Sequence, residues 1–318
     1  MCDAPFVCNN RCVNCIYTCR QRPGAALYYK KIRQTELELM PNDLYEAPIY
    51  IPTLPSPLHI QYNDNDITMI AVHGGKYMSP SGKKISNRFA VKGVHSTLNL
   101  NRATNIILHF YVQDRTLEGF WNGRKEIYDK IKNENFKFII APNFSVYEDS
   151  PRIEHMINIR RSIIVYNELR KNGINAVPDV SWYEIKDLQK WVDLINRSGI
   201  KLFAFSFQTV GLLKRSTNAW KGYMLGLKYL CERISEDVGV IIVGLSGRGR
   251  IKEIMKIIDK RKVSIINTYA YMRAKTGRTY HSADLEYLKT HDELIIQNIK
   301  EMNIRYNMIK TKMSIEGE

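Results

Sequence analysis

The sequence predicts an α/β fold: a barrel-like parallel sheet, complete or incomplete, with a cysteine-rich module before it and a helix after it. Three observations predict this fold. Apolar, β-branched runs recur along the middle of the chain, helical stretches separate them, and four cysteines crowd into the N-terminal segment. Continuous apolar runs are typical of strands buried on both faces, and strand–helix repeats give parallel sheets.

Seven of these runs are predicted strands. They lie at 67–72, 105–112, 136–141, 175–180, 201–207, 238–243 and 263–267. Helices are predicted between most of them, with a short one before them. They lie at 25–33, 117–133, 152–171, 182–197, 219–236 and 250–260. This rhythm favours a (β/α) barrel, and a doubly wound open sheet is the alternative.

Four segments follow from this pattern. Residues 1–40 form a cysteine-rich metal-binding module, and residues 41–66 form a proline-rich connector or edge strand, because proline removes a backbone donor. Residues 67–281 form the barrel-like domain. Residues 282–318 hold a C-terminal amphipathic helix, predicted over 282–312, that packs across the body.

The N-terminal cysteines indicate a metal site. Cys8, Cys12, Cys15 and Cys19 fall within twelve residues, spaced x3, x2 and x3. Disulfides are the weaker explanation, because a chain of 318 residues can bury a core and its start does not read as a secretion signal. The short gaps favour a [4Fe–4S] cluster, and structural zinc is the alternative.

The triplet Cys8-x3-Cys12-x2-Cys15, with Asn9 and Arg11, also resembles the radical-SAM signature. That resemblance implies an iron–sulfur cluster with an open iron position and radical chemistry. In that family the cysteine loop follows the first barrel strand, whereas only seven residues precede Cys8 here. Cys19 would fill the open position, and the alternative is a closed site that staples the N-terminal segment.

The charge distribution predicts a polyanionic partner. The net charge is +15, and three stretches together carry more positive charge than this excess, which acids elsewhere in the chain partly offset. Residues 4–35 and 67–113 contain no acid, and residues 248–278 hold ten basic residues against two acids. Clustered positive charge is what nucleic-acid binding needs, and a merely solvated surface is the alternative. Without a membrane-length apolar run or a secretion signal, we expect no membrane partner and a cytoplasmic location.

Five sequence blocks stand in order in the middle of the chain. They are LHFYVQD with FW, APNFSVYEDSP, N with RRS, VPDVSW and FSFQTVG, beginning at Leu108, Ala141, Asn158, Val177 and Phe205. Over about residues 108–243 these blocks resemble a bacterial and phage family of unknown function, DUF4417. The resemblance implies a fold unit of that family and a phage or mobile-element setting, and it implies no reaction.

Polar residues at the predicted strand ends form the candidate site. In parallel α/β folds the loops at the carboxyl ends of the strands converge on the active site. Asp114, Asn143 and Asp179 stand there. Two carboxylates across a barrel mouth would serve as acid and base, or as nucleophile and stabiliser. The alternative is that each aspartate caps the following helix.

A glycine-rich loop is the candidate phosphate site. Ser246, Gly247, Arg248, Gly249 and Arg250 follow an apolar strand and open a helix. Such a loop offers backbone N–H groups, a helix N-terminus and forked arginine donors, and a flexible turn is the alternative. Arg160 lies near the apolar face of its predicted helix, so its half-buried guanidinium needs an anion or a carbonyl group as a partner. We expect a nearby acid (Glu148 or Asp149) or a substrate phosphate.

Together these features predict a metal- or iron–sulfur-containing barrel-like protein that acts on nucleic acid or a nucleotide, with base or nucleotide modification as the reaction. The alternative is a non-catalytic nucleic-acid-binding protein with a metal-stapled N-terminus. A polar pocket at the strand ends would favour the enzyme.

Overall fold

The computed structural model describes residues 24–33, 38–43, 45–282 and 288–316. The four clustered cysteines lie outside these residues, so the predicted metal module stays a prediction. So does the radical-SAM resemblance. In sequence the cysteines precede the first strand that the structure describes, whereas the cysteine loop of the radical-SAM family follows the first barrel strand.

Eight parallel strands run through the described part of the chain. They are β1 (Tyr50–Pro52), β2 (Met69–His73), β3 (Asn105–His109), β4 (Phe138–Ile140), β5 (Ala176–Val177), β6 (Leu202–Ser206), β7 (Gly239–Val243) and β8 (Val263–Asn267). They pair in two runs, β1-β8-β7-β6 and β2-β3-β4-β5.

Hydrogen bonds at both margins join the two runs into a ring. Leu54 N–H donates to Ala71 O at 3.2 Å between β1 and β2, and Val180 N–H donates to Ala204 O at 2.9 Å between β5 and β6. Both joins are parallel bridges. The α/β, barrel-like fold predicted from the sequence is therefore confirmed, and its strands close on themselves rather than form an open sheet.

The first strand lies in the segment predicted as a proline-rich connector or edge strand. β1 pairs with β8 over all three of its residues. Thr53 N–H donates to Asn267 O of β8 at 2.9 Å, while Leu54 N–H points to β2. Pro52 shares the orientation of Leu54, so its missing N–H falls on the β2 side. Proline is thus tolerated in this strand because it interrupts only the sparse β1–β2 join.

Inside the ring, apolar side chains from all eight strands fill the barrel. They are Ile51, Met69, Ala71, Ile107, Phe138, Ile140, Val177, Leu202, Ala204, Ile241, Val243 and Ile266. A larger apolar layer lies outside the strands, under the helices. Strands buried on both faces account for the continuous apolar runs in the sequence.

Helices surround the barrel. They are α1 (Ala25–Arg33), α2 (Gly74–Tyr77), α3 (Asn87–Leu98), α4 (Asp114–Asn133), α5 (Arg152–Lys171), α6 (Ile185–Arg197), α7 (Asn218–Cys231), α8 (Arg248–Ile258), α9 (Tyr269–Lys275) and α10 (His291–Glu316). No described helix combines the length and apolar character that crossing a membrane requires.

The C-terminal helix α10 packs against α8, α9 and β1. Leu294, Ile299 and Met302 on it are buried. Asn303 of this helix accepts the Tyr50 N–H at 3.1 Å, on the side of β1 that pairs only sparsely with β2. The helix therefore helps to hold the first barrel strand in place.

Candidate active site

The carboxyl ends of β2 to β6 enclose a cavity of about 480 Å³ at the mouth of the barrel. This volume lies in the range of about 300–1,000 Å³ that is usual for small-molecule sites. Its walls are His73, Tyr111, Val112, Gln113, Asn143, Ser145, Val146, Tyr147, Val180, Ser181, Trp182, Ser206, Gln208, Thr209 and Tyr223.

Below this cavity the apolar filling of the barrel gives way to polar side chains. Inward positions alternate along a strand, so the residues two places after the last apolar inward ones also face the barrel axis. At the ends of β1, β2, β3, β5 and β6 such positions hold polar side chains, which we call the polar layer. They are Thr53, His73, His109, Asp179 and Ser206. The polar layer forms the base on which the mouth cavity stands.

His73 is fixed by hydrogen bonds at both ring nitrogens. Gly75 N–H donates to Nδ1 at 3.1 Å, so Nε2 carries the proton and donates to Tyr111 O at 2.8 Å. Burial lowers the pKa of His73, the hydrogen bond to Tyr111 opposes this shift, and nearby Lys76 adds to it. A neutral imidazole with both nitrogens engaged positions the end of β3.

His109 is a buried neutral group between Thr53 and the other rings. Its Nε2 lies 3.4 Å from Thr53 Oγ1, and its ring centroid lies 5.2 Å from that of His73 and 5.5 Å from that of Tyr111. Burial lowers the pKa of His109 to about 3, with a smaller effect from His73. Its Nδ1 has no hydrogen-bond partner among the described residues. His109 thus adds polarity without charge.

Tyr111 and Asp179 form a hydrogen-bonded pair at the base of the cavity. Tyr111 OH donates to Asp179 Oδ1 at 2.8 Å. Asp179 is 1% exposed, and burial raises the pKa of its carboxyl to about 7 although Tyr111 and Asn143 oppose the rise. The Asn143 amide lies close enough to Asp179 to lower the pKa of its carboxyl, although no hydrogen bond joins the two described side chains. Asp179 therefore changes charge near neutral pH.

The backbone holds Asp179 in place, because this residue sits at the β5–β6 join. Asp179 forms the parallel bridge to Ala204 that helps to close the barrel. Its neighbours Val180 and Ser181 line the cavity, while its own side chain lies behind the wall that Tyr111 and Asn143 contribute. Tyr111 is therefore the group of this pair that a ligand can touch.

The cavity walls suit a flat, uncharged ligand. Among the described residues that line the cavity, none is Lys, Arg, Asp or Glu. Gln113, Asn143 and Gln208 offer amide donors and acceptors. Trp182 and Tyr223 offer aromatic faces, with ring centroids 5.4 Å apart. Amides and aromatic rings are the groups that recognise the edges and faces of nucleobases.

The third predicted catalytic residue lies in a neighbouring cavity. Asp114 begins α4 and accepts hydrogen bonds from Ser145 Oγ at 2.5 Å and Tyr147 OH at 2.9 Å. It lines a separate space of about 340 Å³ together with Glu118. Ser145 and Tyr147 line both cavities and stand between them. The structure thus brings Asn143 and Asp179 together and places Asp114 behind a hydrogen-bonded partition.

The predicted phosphate residues are divided between two places. Gly247 is the N-cap of α8, and Arg248 and Gly249 are exposed in its first turn. Arg250 instead donates to Leu213 O at 2.6 Å and lies over the ring of Trp220.

Arg160 does not join this loop. It is buried in α5 and donates to Ile32 O of α1 at 3.3 Å. This hydrogen bond connects α5 to α1. A role in phosphate binding stays a prediction for the exposed residues of the glycine-rich loop, Arg248 and Gly249.

Two features of the site escaped sequence reasoning. Tyr111 lies in a predicted strand with no mark of its own, and His73 and His109 lack metal-ligand spacing. The alternation of Ile107, His109 and Tyr111 along the predicted strand 105–112 is the signal that could have found them, since alternate positions face the same side of a strand. Among the described residues, no group of three His, Cys, Asp or Glu side chains could hold a metal ion.

Comparison with known proteins gives a family and no activity. The model of a family described as a domain of unknown function, DUF4417, matches residues 84–260, more than half of the chain. The matched segment extends beyond the blocks that resembled this family and includes Tyr111, Asn143 and Asp179. No curated protein matches the chain. The chain belongs to the DUF4417 family.

Proposed function

We propose that this protein is an enzyme that binds the base of a nucleic acid or nucleotide in the mouth cavity and modifies it, with Tyr111 and Asp179 as a proton-transfer pair. The observation that carries the proposal is an uncharged cavity of amides and aromatic rings above a buried carboxyl. A carboxyl with a pKa near 7 that is hydrogen-bonded to a second titratable group is typical of acid–base sites.

The cavity supports base recognition in two ways. Trp182 packs closely on Gly226 of α7, where an added Cβ would lie 2.7 Å from the indole ring, so the ring is held rigidly as a stacking surface. Asn143 and Gln208 supply amides at the ends of β4 and β6. Paired donors and acceptors on rigid strand ends suit the hydrogen-bonding edge of a base.

The pair can move one proton. A ligand N–H or O–H placed against Tyr111 gives its proton to the phenol oxygen, while the phenol proton passes to Asp179 Oδ1. The tyrosine is regenerated, the carboxyl becomes neutral and the ligand gains a negative charge. The reverse transfer returns the proton to the ligand. Asp179 therefore acts through Tyr111, and a pKa near 7 makes both directions accessible at neutral pH.

Nucleoside binding tests this proposal directly. Titration of the four nucleosides into the protein, followed by tryptophan fluorescence and calorimetry, should give saturable binding of at least one base. Trp182→Ala should weaken binding about tenfold, in line with the stacking contribution of about 1–3 kcal/mol per base. Tyr111→Phe should abolish any mass change of the base detected after incubation with nucleic acid.

The matched control for Tyr111→Phe is Tyr183→Phe. Tyr183 follows Trp182 in the chain, is 42% exposed and does not line the cavity. If no nucleoside binds, or if simple sugars bind as tightly as nucleosides, base recognition is ruled out.

The second candidate is nucleic-acid binding without turnover. The burial of Asp179, at 1% exposure, favours it, because a carboxyl behind the wall also serves to fix Tyr111 in place. A binding protein would retain nucleoside affinity in Tyr111→Phe and leave the base unchanged at every pH.

Three predictions from the sequence accompany this proposal. They are a [4Fe–4S] cluster or zinc on Cys8, Cys12, Cys15 and Cys19, a cytoplasmic location that would keep those thiols reduced, and a phage or mobile-element setting. Metal analysis of anaerobically purified protein separates the two metals. Four irons with visible absorption indicate the [4Fe–4S] cluster, and one zinc without colour indicates a closed structural zinc site.

A further inference from the structure

The mouth cavity is bordered on one side by a basic loop. Gln208 and Thr209 in the β6–α7 loop line the cavity, and Lys214 and Arg215 follow in the same loop with exposed side chains. The sequence from Leu194 to Cys231 contains no aspartate or glutamate. Positive charge therefore begins at the edge of the cavity.

The next loop around the barrel is held tightly against this one. Gly244 has φ +81°, and a Cβ there would lie 2.7 Å from Gln208 Cα, so only glycine allows this approach. Arg250 donates to Leu213 O at 2.6 Å. These contacts make the β6–α7 and β7–α8 loops one continuous surface, which extends to the exposed Arg248.

We call Lys214, Arg215 and Arg248 the basic rim. Arg215 pairs with Glu253 at 2.5 Å, and its guanidinium lies 3.0 Å from where a Cβ on Gly249 would stand. No ion pair engages Lys214 or Arg248 among the residues that the structure describes. Two of the three cations are thus available to a ligand.

The neighbouring part of the mouth is more acidic. The β4–α5 and β5–α6 loops carry Glu148, Asp149 and Glu184, of which Glu184 pairs with Arg152 at 3.0 Å. An anionic chain that reaches the cavity is therefore attracted to the β6–β7 side rather than to the β4–β5 side.

Aromatic rings continue the surface beyond Arg248. The ring centroids of Tyr269, at the start of α9, and Tyr280, which follows α9 in the chain, lie 6.1 Å apart. Burial raises the pKa of Tyr280, and the charge of Arg248 opposes that rise, so the guanidinium stands close to these rings. Cations that alternate with aromatic rings are the usual arrangement for single strands, because phosphates meet the cations and bases stack on the rings.

We propose that the basic rim binds the backbone of single-stranded nucleic acid, so that the substrate is a polymer rather than a free nucleotide. The entry of one base into the mouth cavity rests on the proposed function. A single strand is the favoured substrate because a base inside a duplex must first leave its stack, at a cost of a few kcal/mol, before it reaches a pocket walled by the barrel loops.

Binding of a labelled ten-nucleotide strand, measured by fluorescence anisotropy across salt concentrations, tests the proposal. We expect the strand to bind at least tenfold more tightly than a nucleoside and than a duplex of the same sequence. Two phosphate contacts, at Lys214 and Arg248, predict a slope of about −1.4 for log K against log salt. RNA and DNA versions of the strand show which sugar is preferred.

Charge reversal locates the contact. Lys214→Glu and Arg248→Glu should each weaken strand binding about tenfold and make the salt slope shallower by about 0.7 or more. Lys260→Glu changes an equally exposed cation at the opposite end of the barrel and should leave strand binding unchanged. Circular dichroism melts verify that all three variants fold.

The outcomes separate the two ideas. If nucleosides bind but the strand gains nothing, or if a duplex binds equally well, the rim proposal is overturned and the cavity function stands. If the strand binds through the rim while no nucleoside binds and Trp182→Ala has no effect, the rim proposal stands and the cavity function falls. Equal losses in Lys260→Glu and Arg248→Glu would reduce the rim to general surface charge and overturn it.

Discussion

Replacement of Asp179 by asparagine should remove a pH-dependent loss of stability. Burial raises the pKa of this carboxyl from 3.8 to about 7. Between these values the folded protein binds a proton that the unfolded chain has lost. The free energy of unfolding therefore falls as pH rises from about 4 to 7 and then levels off. A shift of about three units at about 1.4 kcal/mol each gives at most about 4 kcal/mol.

Asparagine keeps the size of the side chain, and its carbonyl oxygen can still accept from Tyr111. We therefore expect Asp179→Asn to be more stable than the wild type at pH 8. The gain should be about 1–3 kcal/mol, which is less than the maximum, because the new amide N–H group would be imperfectly paired. At pH 5 the folded wild type keeps its proton, although the unfolded chain has already lost most of its own, so only about one of the three units of stabilisation has gone. The advantage of the variant should therefore be about 2.7 kcal/mol smaller at pH 5 than at pH 8, which brings it to about zero or below.

Urea unfolding of both proteins at pH 5, 6, 7 and 8 measures this difference. Asp193→Asn, an exposed position on α6, is the matched control for a change of charge alone. Because other groups titrate equally in both proteins, the comparison isolates residue 179. A difference in unfolding free energy that stays constant from pH 5 to pH 8 would refute the reasoning.

Three further changes test the site. Tyr111→Phe should cost about 1–3 kcal/mol of stability at pH 8, where ionised Asp179 loses its donor, and less at pH 5; urea unfolding that shows equal losses would contradict this. The His109 ring should stay neutral between pH 5 and 8, because burial lowers its pKa to about 3, and a midpoint in that range by ring NMR would disprove it. Gly244→Ala should cost about 2 kcal/mol and weaken nucleoside binding, whereas Gly222→Ala, with open space around it, should do neither.

The strands and helices of this fold could be predicted where burial or a helix stop produces a recognisable pattern in the sequence. Seven strands stand out because both of their faces are buried, and helix α5 was predicted with the observed ends because a Gly stop follows it. Helix α3 was missed, since Gly93 at φ +70° interrupts its pattern. Strand β1 was expected only as an extended connector or edge, because three residues with a proline carry little signal.

The site was predictable to a similar extent. The strand-end rule found Asn143 and Asp179, which the structure brings together, because parallel strands carry their ends to one rim. It also selected Asp114, which a hydrogen-bonded partition separates from them. Tyr111 was not selected, since its role depends on a partner 68 residues away.

Local patterns of burial and charge along the chain were enough to predict an α/β repeat with parallel strands, an excess of basic residues and a polar set of strand ends. The folded chain was needed to see that the ring closes through a strand containing proline. It was also needed to see that Asp179 is paired with Tyr111 and removed from water. Closure and burial depend on contacts between residues far apart in the chain, and those contacts give one carboxyl a pKa near neutral pH.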